Sequence, residues 1–167
     1  NELYRIINSD SEIELHIYNN KVLFIYENMK FISSLLNGTY PNTDNSIPKE
    51  FKNQIKVKTS DMLNLVTNAS LISQSKDKNI VEMEVNNSLL TIRANSQDGK
   101  FEDTIEIENI SKNNIKISYS SKYMADALKI YDSEYVLILM NGEISPIIIN
   151  KEQNTELTEL ILPMKTY

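Results

Sequence analysis

Residues 12–18, EIELHIY, alternate: Ile13, Leu15 and Ile17 fall on one side, and Glu12, Glu14, His16 and Tyr18 on the other. A two-residue period predicts a strand with one buried face. Val22–Glu27 and Phe31–Leu36 read as its neighbours, and the opening ELYRII reads as the end of a helix. The rhythm changes at 60–72, SDMLNLVTNASLI. There Met62, Leu63, Val66 and Ala69 recur at helical spacing, with Ser60 or Asp61 available as a cap. Strand-like stretches follow at Ile80–Val85, Leu89–Ala94 and Phe101–Ile107. After Ile115–Tyr119 the pattern returns. Ser120-Ser121 offers a cap, and Tyr123, Met124, Ala127, Leu128 and Tyr131 make one helical stripe. Strands are expected at 134–139, 144–149 and 157–163.

Helix followed by three strands therefore occurs three times, with about 60 residues between the helix starts of the two complete copies. Strand ladders need an apolar cover, and one amphipathic helix per repeat supplies it. The expectation is an α+β fold with antiparallel sheets: one complete two-repeat domain over 53–167, preceded by half of a similar domain over 1–48. Asparagine marks the turns, at Asn19-Asn20, Asn86-Asn87 and Asn113-Asn114, because it tolerates the left-handed backbone. Pro41–Phe51, with two of the four prolines, reads as the linker. The start on Asn1, without an initiator methionine, suggests a piece of a longer protein.

At 167 residues, 41% hydrophobic and 24% charged, the composition is that of ordinary globular material. A net charge of −6 argues against gripping nucleic acid over the whole surface, though it leaves room for a local basic lining. No apolar run reaches the roughly 18–20 residues that span a bilayer. Cysteine is absent, which removes disulfides and thiolate chemistry and suits a reducing, cytoplasmic setting. The single histidine, His16, lies on the polar side of a strand, without a nucleophile elbow elsewhere to partner it. Glu12/Glu14, Glu82/Glu84 and the run Glu102-Asp103…Glu106…Glu108 are placed as the wet side of a sheet is, although paired carboxylates also serve acid–base work or a metal. The three glycines are isolated, so no phosphate-cradling loop exists. Neither a cofactor nor a metal site is expected, and the chain reads as a binding or scaffolding protein rather than an enzyme. A β-rich extracellular binding module is the alternative within that class.

The closing stretch, LTELILPMKTY at 157–167, is apolar where chain ends are usually polar. On its residues alone it is either a last core strand with a frayed end or an exposed sticky surface.

Several stretches, in order, resemble the bacterial sliding clamp, the beta subunit of DNA polymerase III: LLNGTYP at 35–41, DMLNLVTNASLIS, ISYSSKYMADALK, MNGEISPIII and the final LILPMKTY. The resemblance covers essentially the whole chain but about half of a family member. It implies the DNA-clamp fold, with 1–48 as the back half of the middle domain and 53–167 as the third domain. It also implies a non-catalytic ring of two subunits around duplex DNA, holding the polymerase to its template. The partners so implied are the polymerase III alpha subunit, the clamp loader and repair polymerases, which insert short peptides into a hydrophobic groove. By the resemblance, the groove residues are Pro41, Ile144, Ser145, Pro146, Leu160, Leu162, Pro163, Met164 and Lys165. Candidate DNA-facing residues are Arg5, Lys122 and Lys129, each equally readable as a solvated helix charge. Leu71 and Ile72 match the ring interface.

Departures from the family are visible. The arm after Pro41 reads NTDNSIP, with Thr43 and Asn45 where aromatic and basic groups are common. The helix at 60–72 carries Asp61, Asn64 and Asn68 on its polar side, and no basic residue. The front of the middle domain, which supplies one groove wall, is not in these 167 residues, so weak peptide binding is expected.

Overall fold

The computed structural model describes residues 2–7, 12–39, 46–73, 79–97, 99–152 and 154–165. The chain divides into two compact units, Asn1–Asn42 and Thr43–Tyr167.

The first unit holds a short helix α1 (Glu2–Ile6) and strands β1 (Glu14–Ile17), β2 (Lys21–Tyr26) and β3 (Met29–Ser34), paired antiparallel in the order β1-β2-β3. Register places Leu15, Phe24 and Phe31 side by side on one face. The Phe24 and Phe31 rings lie 6.0 Å apart in a tilted arrangement, as aromatic quadrupoles prefer. Leu3, Ile6 and Ile7 border an apolar hollow of about 210 Å³ together with Phe24, Tyr26, Met29 and Phe31. Asn19-Asn20 sits in the β1–β2 turn, but at the β2–β3 turn it is Glu27, not the following Asn28, that takes the left-handed φ of 52°.

The second unit starts with a strand absent from the sequence reading, β4 (Asn53–Lys58), before α2 (Thr59–Ser73). β5 (Ile80–Asn86), β6 (Leu89–Asn95), β7 (Lys100–Glu106) and the short β8 (Glu108–Asn109) follow, then β9 (Ile115–Ser120) and α3 (Ser121–Leu128). β10 (Tyr135–Met140), β11 (Ile147–Lys151) and β12 (Asn154–Ile161) complete it. Each repeat thus adds a leading strand to the expected helix and three strands, and the first also carries the short β8. The leading strands are exchanged: β9 of the second repeat pairs with β5, and β4 of the first pairs with β10. The result is a sheet β7-β6-β5-β9 and a sheet β12-β11-β10-β4-β8, with all pairings antiparallel.

Period-two burial places one residue in two on the core face of each strand. Ile117, Met83 and Ile92 form a buried rung across β9, β5 and β6, and Ile55, Ile138 and Ile149 form its counterpart across β4, β10 and β11. α2 adds Met62, Leu65, Val66 and Ala69, and α3 adds Met124 and Leu128. Burying each such leucine-sized side chain stabilises by about 1.5–3 kcal/mol. α2 and α3 pack against each other.

Both helices begin with the same device. Thr59 donates its N–H to the Glu134 carbonyl at 2.8 Å and its Oγ1 to the Ser133 carbonyl at 2.7 Å. Ser121 donates its N–H and Oγ to the Asn79 carbonyl at 2.8 and 3.0 Å. Each clip joins the first residue of one repeat's helix to the residues just before the other repeat's first core strand. The expected caps are replaced: α2 starts at Thr59 rather than after Ser60 or Asp61, and Ser120, at the N-cap of α3, makes no side-chain capping bond.

Two other boundaries move. Residues 144–146, expected in a strand, form the turn between β10 and β11; Gly142 there adopts φ 134° and Ser145 donates its N–H to the Gly142 carbonyl at 3.4 Å. Pro146, lacking an N–H, stands just before the ladder resumes at Ile147. β12 ends at Ile161 instead of reaching 163. Tyr123, expected on the buried stripe of α3, is exposed, while Tyr131 is buried and donates its hydroxyl to the Ile149 carbonyl at 2.6 Å.

Candidate functional site

Past Ile161 the chain leaves one sheet for the other. Pro163 has no N–H to continue the ladder, and the Met164 N–H then donates to the Ser118 carbonyl of β9 at 2.7 Å. The tail is therefore held to β9 at Met164. Ser118 is buried beneath that crossing although it lies on the face of β9 opposite the core residues Ile117 and Tyr119.

Beside the crossing lies an open hollow of about 260 Å³, lined by Glu82, Lys116, Ile117, Ser118, Glu143, Ile144, Met164 and Lys165. Ile144 is 76% exposed at the tip of the β10–β11 turn. The base of that turn is fixed by Asn141, whose Oδ1 accepts the Lys52 N–H at 2.8 Å and whose Nδ2 donates to the Glu50 carbonyl at 2.7 Å.

The structure thus brings together Ile144, Met164 and Lys165 of the residues the sequence singled out. Ser145 and Pro146 are half-buried in the adjoining turn and Pro163 is half-buried in the tail; none of the three lines the hollow. Leu162 is 66% exposed. Leu160 points elsewhere, into a second hollow of about 260 Å³ with Tyr123, Asp126, Ala127, Ile130, Glu159 and Ile161. Pro41, and with it Thr43 and Asn45, lies outside the described residues.

Sequence reasoning missed the floor contributed by β9, Lys116 to Ser118, and the rim residue Glu143. The two-period of β9 does set Lys116 and Ser118 on the face away from the core, but no local signal says that a tail 46 residues beyond Ser118 lies across it. Tyr123 and Ile130 of the second hollow were read as core or passed over, because helical spacing alone does not say which apolar positions a short helix buries.

The Glu82 and Glu84 carboxylates have cationic partners. Arg93 stands across from Glu82 in register, reaches Glu82 at 3.7 Å and Glu102 at 3.2 Å, and bonds to Glu84. Lys116 approaches Glu82 at 2.9 Å. Hydrogen bonding to Arg93, reinforced by its charge, holds the Glu84 carboxyl below the ordinary range, and the same bonds raise the Arg93 guanidinium. His16 Nε2 lies 2.6 Å from Glu14 Oε1 on an exposed strand. Among the described residues no cluster of three or more potential metal ligands occurs.

Of the cations proposed to face DNA, Lys122 and Lys129 share one hollow of about 200 Å³ with Thr67 and Ser70 of α2. Lys129 pairs with Asp126 at 3.3 Å. Arg5, on α1, pairs with Glu2 at 3.3 Å. The polar side of α2 presents Asp61, Asn64 and Asn68 to solvent. Leu71 and Ile72 face differently: Leu71 is 66% exposed, whereas Ile72 packs against the core.

Residues 45–165 match the family described as DNA polymerase III beta subunit, C-terminal domain. The chain is 32% identical over 168 residues to the beta sliding clamp of Staphylococcus epidermidis, covering 99% of this chain and 45% of that protein. It spans about half the length of the curated relatives it matches. The DNA polymerase sliding clamp of Bacillus subtilis superposes with a TM-score of 0.84 at 32% identity, over 99% of this chain and 44% of that one. A Pseudomonas aeruginosa sliding clamp, crystallised bound to griselimycin, superposes at 0.84 over 99% of this chain and 45% of its own; at 18% identity it speaks to the fold alone.

Proposed function

The chain belongs to the DNA polymerase III beta subunit family, matched through that family's C-terminal domain, and on that premise we propose that it is part of a ring-shaped sliding clamp, a DNA replication processivity factor. In this reading residues 1–48 are the back half of the clamp's middle domain and residues 53–167 its third domain. The ring closes as a homodimer around duplex DNA, in the cytoplasm, and catalyses nothing. It tethers the polymerase III alpha subunit, the clamp loader and repair polymerases through short peptides. A β-rich extracellular module, the other reading the sequence allows, draws no support from the family match or the sliding-clamp relatives.

The observation that carries the proposal is the tail crossing. Met164 is fixed by its backbone to β9, and its side chain joins Ile144 in lining an open hollow. Met walls repack at little cost around varied apolar side chains, which suits a site that serves several partners. Leu162 and Pro163 extend the apolar surface along the same tail, with Ser145 and Pro146 in the adjoining turn. Lys122, Lys129 and Arg5 provide weak, screened phosphate contacts, as a ring held by topology requires. Leu71, with Ile72 beside it, belongs to the ring interface.

The experiment is a titration of the chain with a labelled peptide of the QLxLF type, read by fluorescence polarisation and backbone NMR shifts. Saturable binding with shifts concentrated at Ile144 and Met164 is the expected result. Shifts scattered away from the tail, or metal-dependent shifts at Glu82 and Glu84, overturn it.

A further inference from the structure

Four charged side chains border the hollow beside the tail, and they are not equivalent. Glu82 and Lys116 neutralise each other at 2.9 Å, with Arg93 also near Glu82. Glu143 and Lys165 are exposed and have no ion-pair partner among the described residues. They come from different segments, Glu143 from the β10–β11 turn and Lys165 from the tail, and both segments are tied down, by Asn141 and by the Met164 N–H. Between them the lining is mixed: Ile144 and Met164 contribute apolar surface, and Ser118 and the Glu82–Lys116 pair contribute polar surface. The volume, about 260 Å³, lies below the roughly 300–1,000 Å³ of small-molecule pockets, and suits one or two side chains of a peptide.

Resting on the peptide-groove reading above, we propose that this hollow selects partners by charge order as well as by apolarity. Its occupant is a short peptide with an apolar residue flanked by an acidic group that meets Lys165 and a basic group that meets Glu143. Unpaired rim charges of opposite sign on two fixed segments form a dipole that favours one peptide direction and disfavours the reverse. Such exposed pairs act mainly on specificity, through attraction in one register and like-charge repulsion in the other.

The test titrates the 167-residue chain with three labelled peptides sharing one leucine-containing core: neutral flanks, acidic-then-basic flanks, and basic-then-acidic flanks. One dipolar order binds about three- to tenfold tighter than the neutral peptide at low salt, and high salt erases the gain. The double variant E143K/K165E inverts which order is preferred. Both positions are exposed, and an unchanged thermal melt shows that the fold is retained. Equal binding of all three peptides, or the same preference before and after the swap, overturns the charge rule while the groove stands. Failure of every peptide to bind overturns both.

Discussion

The first unit and each half of the second contain one helix followed by three antiparallel strands. Yet among the described residues of the first unit Tyr26 is the one buried apolar side chain, whereas the second buries full rungs on both sheets and the inner sides of two helices. Ile17 of β1 is 72% exposed, while Ile138 of β10, the corresponding first strand after a helix, is wholly buried. The difference is the leading strand and the exchange it permits. β4 and β9 each extend the other repeat's sheet, so two half-covered ladders close on one core. A single helix over three strands is a part with an apolar face; two parts that swap strands are a domain.

That contrast predicts a wide gap in truncation costs, measurable by urea denaturation. Ile138→Ala removes a side chain from the middle of a buried rung and costs about 2–5 kcal/mol. Ile17→Ala in the first unit stays within about 0.5 kcal/mol. Comparable losses at the two positions would mean that the first unit is as tightly cored as the second. The helix-start clips give the next effect. Thr59→Ala takes from the Ser133 carbonyl the hydroxyl that donates to it and costs about 1–3 kcal/mol, whereas Ser121→Ala leaves the Asn79 carbonyl the Ser121 N–H and costs about 0.5–1.5 kcal/mol. Equal losses at the two positions would mean that the backbone bond does not protect the Asn79 carbonyl.

The smallest effect is a pH dependence. Glu84, held low by Arg93, and Asp132, held low by Lys151, have folded-state values below their unfolded ones. Each contributes stability that is fully present above the ordinary carboxylate range and is lost as pH falls through its lowered value. Urea midpoints of the chain fall on the acid side of that range. Arg93→Gln makes the decline shallower, and an unchanged slope in that variant removes Glu84 from the account.

Much of this molecule is legible in its residues because the signals are local. Alternation in 80–85, 89–94 and 115–119 follows from the pleat, the stripe through Met62, Val66 and Ala69 follows from the helical turn, and the family resemblance lies in contiguous motifs. β4 is as legible as any, since Ile55 and Val57 alternate with Gln54, Lys56 and Lys58, but a reading that starts each repeat at its helix passes over it, and its partner β10 lies about 80 residues on. The acidic pairs at Glu82 and Glu84 were seen as the wet side of a sheet, whereas the arginine and lysine that hold them come from neighbouring strands.

The sequence by itself determined where most strands and helices lie, that the pattern repeats, and that the last residues are apolar and resemble a clamp tail, because each depends on side chains within a few positions of one another. Tertiary structure alone decided which strands trade sheets, that Met164 crosses to Ser118, and that Leu160 faces a different hollow from Met164. Those outcomes rest on pairings between distant segments, where the hydrogen bonds of one strand are satisfied by a chain that its own sequence does not mention.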